Sequence, residues 1–231
     1  MNEFDHSLPS DFENRVRLFP LPDLVLFPGV VQALHIFEPR YRAMMEDALA
    51  GDRMLTLIRL EPPTATPDWG EKAIAATGCL GKIVSEVRLE DGRFNLFLVG
   101  LKRVRVLSEP LVDRPYRVAD VEVVDESHDH PGLEPLREEL IQKFQALVQQ
   151  RANLELENML PVQDPALPFP QMLDLMAFAS GAESSRQQQV LDAYDLGQRA
   201  ELVMRLLDEG LKMDQPTNIQ VREFPPGFSL N

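Results

Sequence analysis

The sequence contains a single cysteine, Cys79, among 231 residues. An internal disulfide is therefore excluded, and one thiol is typical of a reducing compartment. No apolar run approaches the roughly 20 residues that a helix needs to cross a bilayer. The first residues, MNEFDHSLPS, also lack the basic and apolar blocks of a secretory signal. These absences predict a cytoplasmic protein that does not bind a membrane.

Positive charge is scarce as well, with 23 Lys and Arg against 37 Asp and Glu and a formal net charge of −14. Phosphate backbones are bound by clustered cations, so a nucleic acid is not expected as the main partner. Residues 118–214 alone hold 19 acidic and 7 basic side chains. This change in charge predicts two regions with different surfaces.

Motifs for nucleotide or nucleophilic chemistry are missing too. The phosphate loop G-x-x-x-x-G-K-[ST] does not occur, and GCLGKIV (78–84) has neither its spacing nor its hydroxyl residue. Cys79 has no obvious base beside it, which favours a small buried thiol over a nucleophile. We therefore predict that the chain has no catalytic residue, binds no cofactor and is not an enzyme.

A histidine pair, His128 and His130, flanks Asp129 in the segment DESHDHPG. Two imidazoles and a carboxylate can bind a metal, but a structural zinc site uses four ligands. The acidic, polar surroundings favour a solvated linker, so no metal site is predicted.

Short, strand-like apolar segments occupy the chain before about residue 125. Asp91-Gly92 lies between two of them and predicts a tight antiparallel hairpin, because Asp-Gly favours positive φ angles. Pro39 stands at a plausible first helical position, so one helix is expected from there to about Gly51. Residues 1–14 are expected to form an N-terminal arm, and residues 15–125 a barrel of about six strands with one or two short helices.

The segment LFPLPDLVLFPG (18–29) contains three prolines. Proline has no N–H to donate and is tolerated at strand ends and turns. Pro20 and Pro22 are therefore predicted to end a strand over 16–19, and Pro28-Gly29 to form a turn.

After residue 125 the apolar residues recur every three or four positions, which is the helical period. Helices are predicted over 133–147, 172–179, 185–193 and 196–211. Their short connections favour antiparallel packing. Residues 126–214 are thus expected to form a helical bundle, and 215–231 a C-terminal arm.

Three segments in order resemble one known family. Residues 18–49 resemble the opening of the Lon protease N-terminal domain, known as the LON substrate-binding domain. Residues 81–106 are similar to that family's G-x-I…DG…V-x-G-x-x-R-V-R segment, and 173–211 to its helical part. The form IFEPRYR (36–42) looks like the stand-alone bacterial members. The residues that carry the first two matches are Leu18, Pro20, Leu21, Val25, Phe27, Pro28, Gly29, Gly81, Ile83, Asp91, Gly92, Val99, Gly100, Arg103, Val104 and Arg105.

This resemblance implies an α+β protein in which a PUA-like β pseudo-barrel precedes a helical bundle. In full-length Lon the region engages unfolded or tagged polypeptides and passes them to an ATPase. Because the sequence ends at Asn231, we expect the ATPase and protease modules to be lacking. The resemblance therefore implies a non-enzymatic module that binds unfolded polypeptides or a partner protein, as an adaptor or in a chaperone-like role.

An alternative remains, because PUA-like barrels in other families hold RNA or small ligands. Its support in the sequence is the basic strip formed by Lys102, Arg103 and Arg105 in KRVRV. Alternation of Arg103 and Arg105 with Val104 and Val106 predicts a half-buried strand with a basic outer face. Pairing with acids on a solvated strand is the simpler interpretation of that strip.

Candidate peptide contacts are aromatic residues outside the clear periodic patterns. Trp69 lies in the proline-flanked segment PPTATPDWGEK, where it can either cap the core or anchor a partner. Phe37 and Tyr41 lie on either side of the junction between a predicted strand and a predicted helix. Each can either pack in the core or form the edge of a peptide-binding groove. These three residues are the predicted peptide-binding positions.

Overall fold

The computed structural model describes residues 8–9, 12–62, 73–124, 132–151, 162 and 164–213. The chain divides into two compact units, Met1–Val124 and Asp125–Asn231. The first unit contains the described strands and one helix, and the second contains the other described helices.

The first unit is a six-stranded sheet in which five strands close a ring and β2 extends it beside β5. The order is β2-β5-β4-β3-β1-β6, and a further pairing of β5 with β6 closes the ring, so the predicted pseudo-barrel is confirmed. β1 and β3 run parallel, while the other pairs are antiparallel. The elements are β1 (Arg15–Leu21), β2 (Val31–Ile36), α1 (Pro39–Leu49), β3 (Met54–Leu60), β4 (Ile74–Arg88), β5 (Phe94–Ser108) and β6 (Val118–Val123).

A cluster of buried apolar side chains fills this unit. It draws on five of the strands, because closing the sheet brings the inward positions of distant segments together. Leu8 and Phe12 of the N-terminal segment also pack against it. The buried members are Val16, Leu18, Met54, Ile58, Ala75, Leu80, Leu101, Val104, Ala119 and Val121.

The hairpin between β4 and β5 turns at Asp91-Gly92, as predicted. Gly92 has a φ of +82°, and Asp91 Oδ1 accepts a hydrogen bond from the Arg93 N–H at 3.1 Å. That backbone hydrogen bond is the main cause of the lowered pKa of Asp91. A short side chain that accepts from the backbone two residues later is what stabilises such turns.

Pro20 lies inside β1, so the prediction that it ends the strand is wrong. It sits opposite Ile58 in the parallel pairing with β3. The Leu18 N–H points to the β6 side of the strand, where it donates to the Arg117 carbonyl at 2.9 Å. N–H groups two residues apart point to the same side. The nitrogen of Pro20 therefore points to the β6 side, at a level of the strand before β6 begins. The lack of an N–H at Pro20 removes no hydrogen bond to β3.

The segment after Pro22 crosses β5 at a glycine. Gly29 donates its N–H to the Gly100 carbonyl at 2.9 Å, and Gly100 donates to the Val30 carbonyl at 2.8 Å. A Cβ atom on Gly100 would lie 2.1 Å from the Phe27 carbonyl oxygen. The two backbones approach so closely that residue 100 has no room for a side chain. The predicted Pro28-Gly29 turn is present, with Gly29 at a φ of +78°.

Arg103 is buried, which corrects the prediction of a basic outer face on β5. It is 1% exposed, and Cys79, directly opposite on β4, is completely buried as well. Val104, the next residue on β5, is also completely buried. Both faces of the sheet are thus covered at this point, so simple alternation of buried and exposed residues does not apply. Arg105 is exposed as expected and pairs with Glu122 of β6.

The second unit is built from four described helices, and the predicted helical half is confirmed. They are α2 (Glu134–Gln150), α3 (Phe169–Ala179), α4 (Ser184–Asp192) and α5 (Leu196–Lys212). α5 contacts each of the other three. Asp195 caps it by accepting the Gln198 N–H at 2.8 Å, which satisfies one of the free donors at a helix start.

A buried ion pair connects α3 with α5. Arg199 Nη1 lies 3.8 Å from Asp174 Oδ1, and the two side chains are 0% and 1% exposed. Arg199 also donates from Nε to the Ala193 carbonyl at 2.9 Å. The spacing of apolar residues in these helices does not predict this ion pair, because both charged residues lie at positions where the helical pattern predicts buried side chains.

Candidate functional site

An exposed aromatic surface lies on the outer face of the β2–β5–β4 sheet. His35, Asn95 and Val87 are directly opposite one another on the three strands, so their side chains share a face. Phe37 follows His35 by two residues and is 61% exposed, and Val87 is 51% exposed. We call these four residues the Phe37 face.

The His35 ring holds one side of this surface in place. It stacks on the Phe37 ring with centroids 6.2 Å apart and planes at 24°. His35 Nδ1 lies 2.6 Å from Asn95 Oδ1, and Arg93 Nη1 lies 3.2 Å from His35 Nε2. Both contacts are hydrogen bonds when Nδ1 carries the proton, because Nε2 then accepts from the guanidinium. The orientation of the ring beside Phe37 is therefore set from two sides.

Phe37 is exposed because its neighbours occupy the other face of the sheet. Ile36 and its cross-strand partner Phe94 are both buried, and successive side chains of a strand point in opposite directions. α1 begins at Pro39, the first helical position that the sequence predicted. Phe37 therefore lies between the end of β2 and Glu38, the extended residue that precedes α1.

Tyr41 belongs to the core of the first unit, so it has almost no surface to offer a peptide. It is 6% exposed, and its ring meets that of Phe19 edge-on with centroids 4.7 Å apart. The Arg40 guanidinium lies 4.5 Å from the ring centroid. Burial raises the pKa of the Tyr41 hydroxyl. Of the two open roles for Tyr41, the structure supports the core role.

Trp69 lies outside the described residues, as do His128, Asp129 and His130. The interpretations of these positions remain predictions. Within the described ranges, no group of His, Cys, Asp and Glu side chains is arranged to hold a metal ion. No helix in the same ranges has the length and apolar character to span a bilayer.

A separate cleft of about 1060 Å³ opens in the first unit. The N-terminal segment, the start of β3 and the connection between β5 and β6 line it. Val16, Met54 and Tyr116 are buried side chains of its floor. Its wall carries five cations, Arg15, Arg17, Arg53, Lys82 and Arg114, and three acids, Glu13, Asp52 and Asp113.

Ion pairs hold all four arginines that line this cleft. Arg17 donates to Asp52 Oδ1 at 2.7 Å, and Arg15 donates to Asp120 Oδ1 at 2.7 Å. The latter hydrogen bond lowers the pKa of Asp120. The other two pairs are Arg53 with Glu86 and Arg114 with Asp47.

Tyr116 connects the cleft floor to α1. Its hydroxyl donates to Asp47 Oδ2, which also accepts from Arg114 Nη1 at 2.8 Å. Burial, and then the hydrogen bond to Asp47, raise the pKa of Tyr116. The connection between β5 and β6 is therefore tied to the helix on one side of the cleft.

The sequence alone does not predict this cleft, because its lining comes from segments that are far apart in the chain. One local signal was available: Arg15 and Arg17 alternate with buried Val16 in β1. Alternation of this kind places both arginines on one face of the strand. Only the closure of the sheet brings Lys82 of β4 and Arg114 to the same cleft.

The six-stranded sheet with its closed ring of five strands in one unit, and the four described helices in the other, define the class of protein. The chain belongs to the LON substrate-binding domain family: the family model described as the ATP-dependent protease La (LON) substrate-binding domain matches residues 15–209. The resemblance found from the three sequence segments is therefore confirmed.

Named relatives of this chain are Lon proteases. It is 27% identical over 222 residues to the Lon protease of Dictyoglomus thermophilum, covering 94% of this chain and 27% of that protein. It is 28% identical over 224 residues to "Lon protease homolog 2, peroxisomal" of Danio rerio, covering 88% of this chain and 26% of that protein. The chain thus spans about a quarter of the length of these relatives.

Solved structures of Lon N-terminal domains share the fold. The N-terminal domain of the Mycobacterium avium complex Lon protease matches with a TM-score of 0.68 and 19% identity, covering 84% of this chain and 98% of that one. The Lon N-terminal domain protein from Xanthomonas campestris matches with a TM-score of 0.60 and 22% identity, covering 83% and 97%. The matched region is the substrate-binding part of Lon, not its ATPase or protease part.

Proposed function

We propose that this protein binds unfolded polypeptides without transforming them, as an adaptor or chaperone-like module, and that the Phe37 face is the contact surface. The observation that carries the proposal is the 61% exposure of Phe37 beside a ring held by two hydrogen bonds. We place this activity in the cytoplasm, in keeping with the lone, buried Cys79.

The chemistry of the Phe37 face suits an apolar side chain of an extended client. An aromatic ring supplies a large contact area and loses little conformational entropy on binding. Val87 adds apolar surface on a neighbouring strand. The Arg93–His35–Asn95 contacts provide a polar border with fixed donors. A pre-organised apolar centre with a polar border is the usual anatomy of a binding surface.

Substitution of Phe37 and Tyr41 separates binding from stability. We expect Phe37→Ala to leave the melting temperature nearly unchanged and to weaken binding of an unfolded client by about 2 kcal/mol. Tyr41→Ala is expected to cost about 3 kcal/mol or more of stability, because it opens a cavity beside Phe19. A thermal melt and a titration with reduced, carboxymethylated lactalbumin measure both quantities for each variant.

Leu111→Ala is the matched control for the binding titration. Leu111 is fully exposed on the β5–β6 connection, away from the Phe37 face, so its loss removes an exposed apolar side chain without touching the proposed surface. Equal affinity of wild type and Phe37→Ala would exclude the Phe37 face. Trp69→Ala, taken through the same two measurements, tests the prediction that Trp69 is a binding anchor.

The proposed absence of catalysis is tested with the purified chain. We expect no hydrolysis of ATP above the level of a buffer blank, because the sequence has no phosphate loop. We expect none of casein either, because the sequence shows no nucleophile with a base beside it. Malachite-green phosphate release and a fluorescent casein assay measure the two activities. ATP turnover that co-elutes with the chain through two different chromatography steps would contradict the proposal.

A further inference from the structure

The cleft of the first unit combines an apolar floor with a charged wall. Val16 and Met54 belong to the barrel core, and Tyr116 is buried beside them. The wall carries five cations against three acids in a chain whose net charge is −14. Each of the four arginines pairs with an acid, so Lys82 supplies the positive charge that remains for a ligand. The accessible apolar surface of the lining is that of Val112, which is 38% exposed, and of Phe12 and Val118, which are partly exposed.

The arginines of the wall keep hydrogen-bonding capacity for a ligand. Arg15 donates its Nε–H to Asp120, and Arg114 donates from Nη1 to Asp47. Their side chains are 54% and 55% exposed. A guanidinium carries five N–H donors, so each of these side chains retains donors beyond the contact with its acid.

Lys82 differs from the arginines of the wall. It is half-buried on β4, directly opposite Met54 of the cleft floor. Within the described ranges, it forms no ion pair or side-chain hydrogen bond. A half-buried ammonium group next to apolar surface gains more from an incoming carboxylate than a fully solvated one does, because water screens it less.

We propose that this cleft binds an acidic side chain of an extended polypeptide, with Lys82 as the pairing cation and the exposed apolar lining at Val112 receiving a neighbouring apolar side chain. The inference rests on the proposed function, because it names the class of polypeptide segment that the protein prefers. A volume of about 1060 Å³ is at the upper end of ligand-sized pockets, roughly 300–1000 Å³, and suits a short segment of chain. The acids of the wall repel an incoming carboxylate. One of them, Asp113, is exposed and lines the cleft.

Two peptides that differ only in charge test this preference. Both are fluorescein-labelled twelve-residue peptides with alternating Leu and polar positions, with Glu at two central polar positions in one and Gln in the other. We expect the wild type to bind the Glu peptide about fivefold tighter in fluorescence anisotropy at low salt. The preference is expected to shrink at about 0.5 M salt, since the Debye length shortens.

Three variants locate the preference. Lys82→Gln is expected to lower it to about twofold or less, and Asp113→Asn to increase it by about twofold, because the two changes move the charge of the wall in opposite directions. Lys102→Gln is the matched control: Lys102 is a half-buried lysine of β5 that does not line the cleft. The Lys102→Gln variant is expected to prefer the Glu peptide over the Gln peptide to the same extent as the wild type. Melting temperatures verify that each variant is folded.

The outcomes separate this inference from the proposed function. Equal wild-type affinity for the two peptides, together with weaker binding of both by Phe37→Ala, would overturn the cleft proposal and retain polypeptide binding. A Glu preference that survives Lys82→Gln in a folded protein would also overturn it. Failure of the wild type to bind either peptide or the unfolded client would overturn both proposals.

Discussion

Replacing Gly100 with alanine is expected to destabilise the first unit by about 3 kcal/mol, as overpacking against a fixed backbone does. The new Cβ would meet the Phe27 carbonyl oxygen at 2.1 Å and Cys79 Sγ at 3.1 Å. The carbonyl belongs to a backbone that Gly29 and Val30 tie to Gly100 through two hydrogen bonds, so it cannot move without breaking them. Hydrogen–deuterium exchange of the β5 amides measures the effect on this unit.

Gly51→Ala is the control for that experiment. It lies in the same unit, and a Cβ atom there meets its nearest neighbours at 3.5 Å, an ordinary contact distance. Its effect is expected to stay within about 0.5 kcal/mol. If Gly100→Ala proves as mild as Gly51→Ala, the close approach of the 27–30 segment to β5 is not the native arrangement.

Replacing Asp174 with alanine is expected to destabilise the second unit by about 3–5 kcal/mol. The change leaves the Arg199 charge, which is 0% exposed, without the carboxylate that faces it across the α3–α5 contact. Removal of one member of a buried pair exposes the full desolvation cost of the other. Because the described helices α2 to α5 all belong to this unit, urea denaturation followed by circular dichroism at 222 nm reports on it.

An exposed pair on α5 provides the comparison. Glu201 and Arg205 lie 3.2 Å apart with both side chains largely exposed, so Glu201→Ala is expected to cost less than about 0.5 kcal/mol. The double variant Asp174→Ala/Arg199→Met is expected to recover most of the stability that Asp174→Ala loses, since it removes the isolated charge as well. A double variant no more stable than Asp174→Ala would show that packing, not the uncompensated charge, causes the loss.

The Phe37 face and the cleft offer different chemistry within the first unit. The first presents an aromatic ring and Val87 on the outside of the sheet. The second presents Lys82 among ion-paired arginines, with Val112 as exposed apolar surface. Binding through the Phe37 face is expected to depend little on salt, whereas the preference for acidic peptides at the cleft is expected to fall with it. Salt dependence therefore distinguishes the two contributions in a single titration series.

Local features of the sequence determined the elements and the family. Asp91-Gly92 specified a hairpin because its conformational preference is a property of two residues. Pro39 specified the start of α1, and the three- and four-residue spacing over 196–211 specified α5. Each of these signals depends on residues that are adjacent along the chain.

Burial and neighbourhood were decided by the tertiary structure. Phe37 and Tyr41 are four residues apart and equally aromatic, yet one is exposed and the other is buried against Phe19. Arg103 is covered although the alternation of KRVRV predicts that it faces water. Lys82 meets Arg15 at a cleft only because β1 pairs with β3 and β3 with β4. Which face of an element is covered depends on segments distant in the chain, and a local pattern carries no information about them.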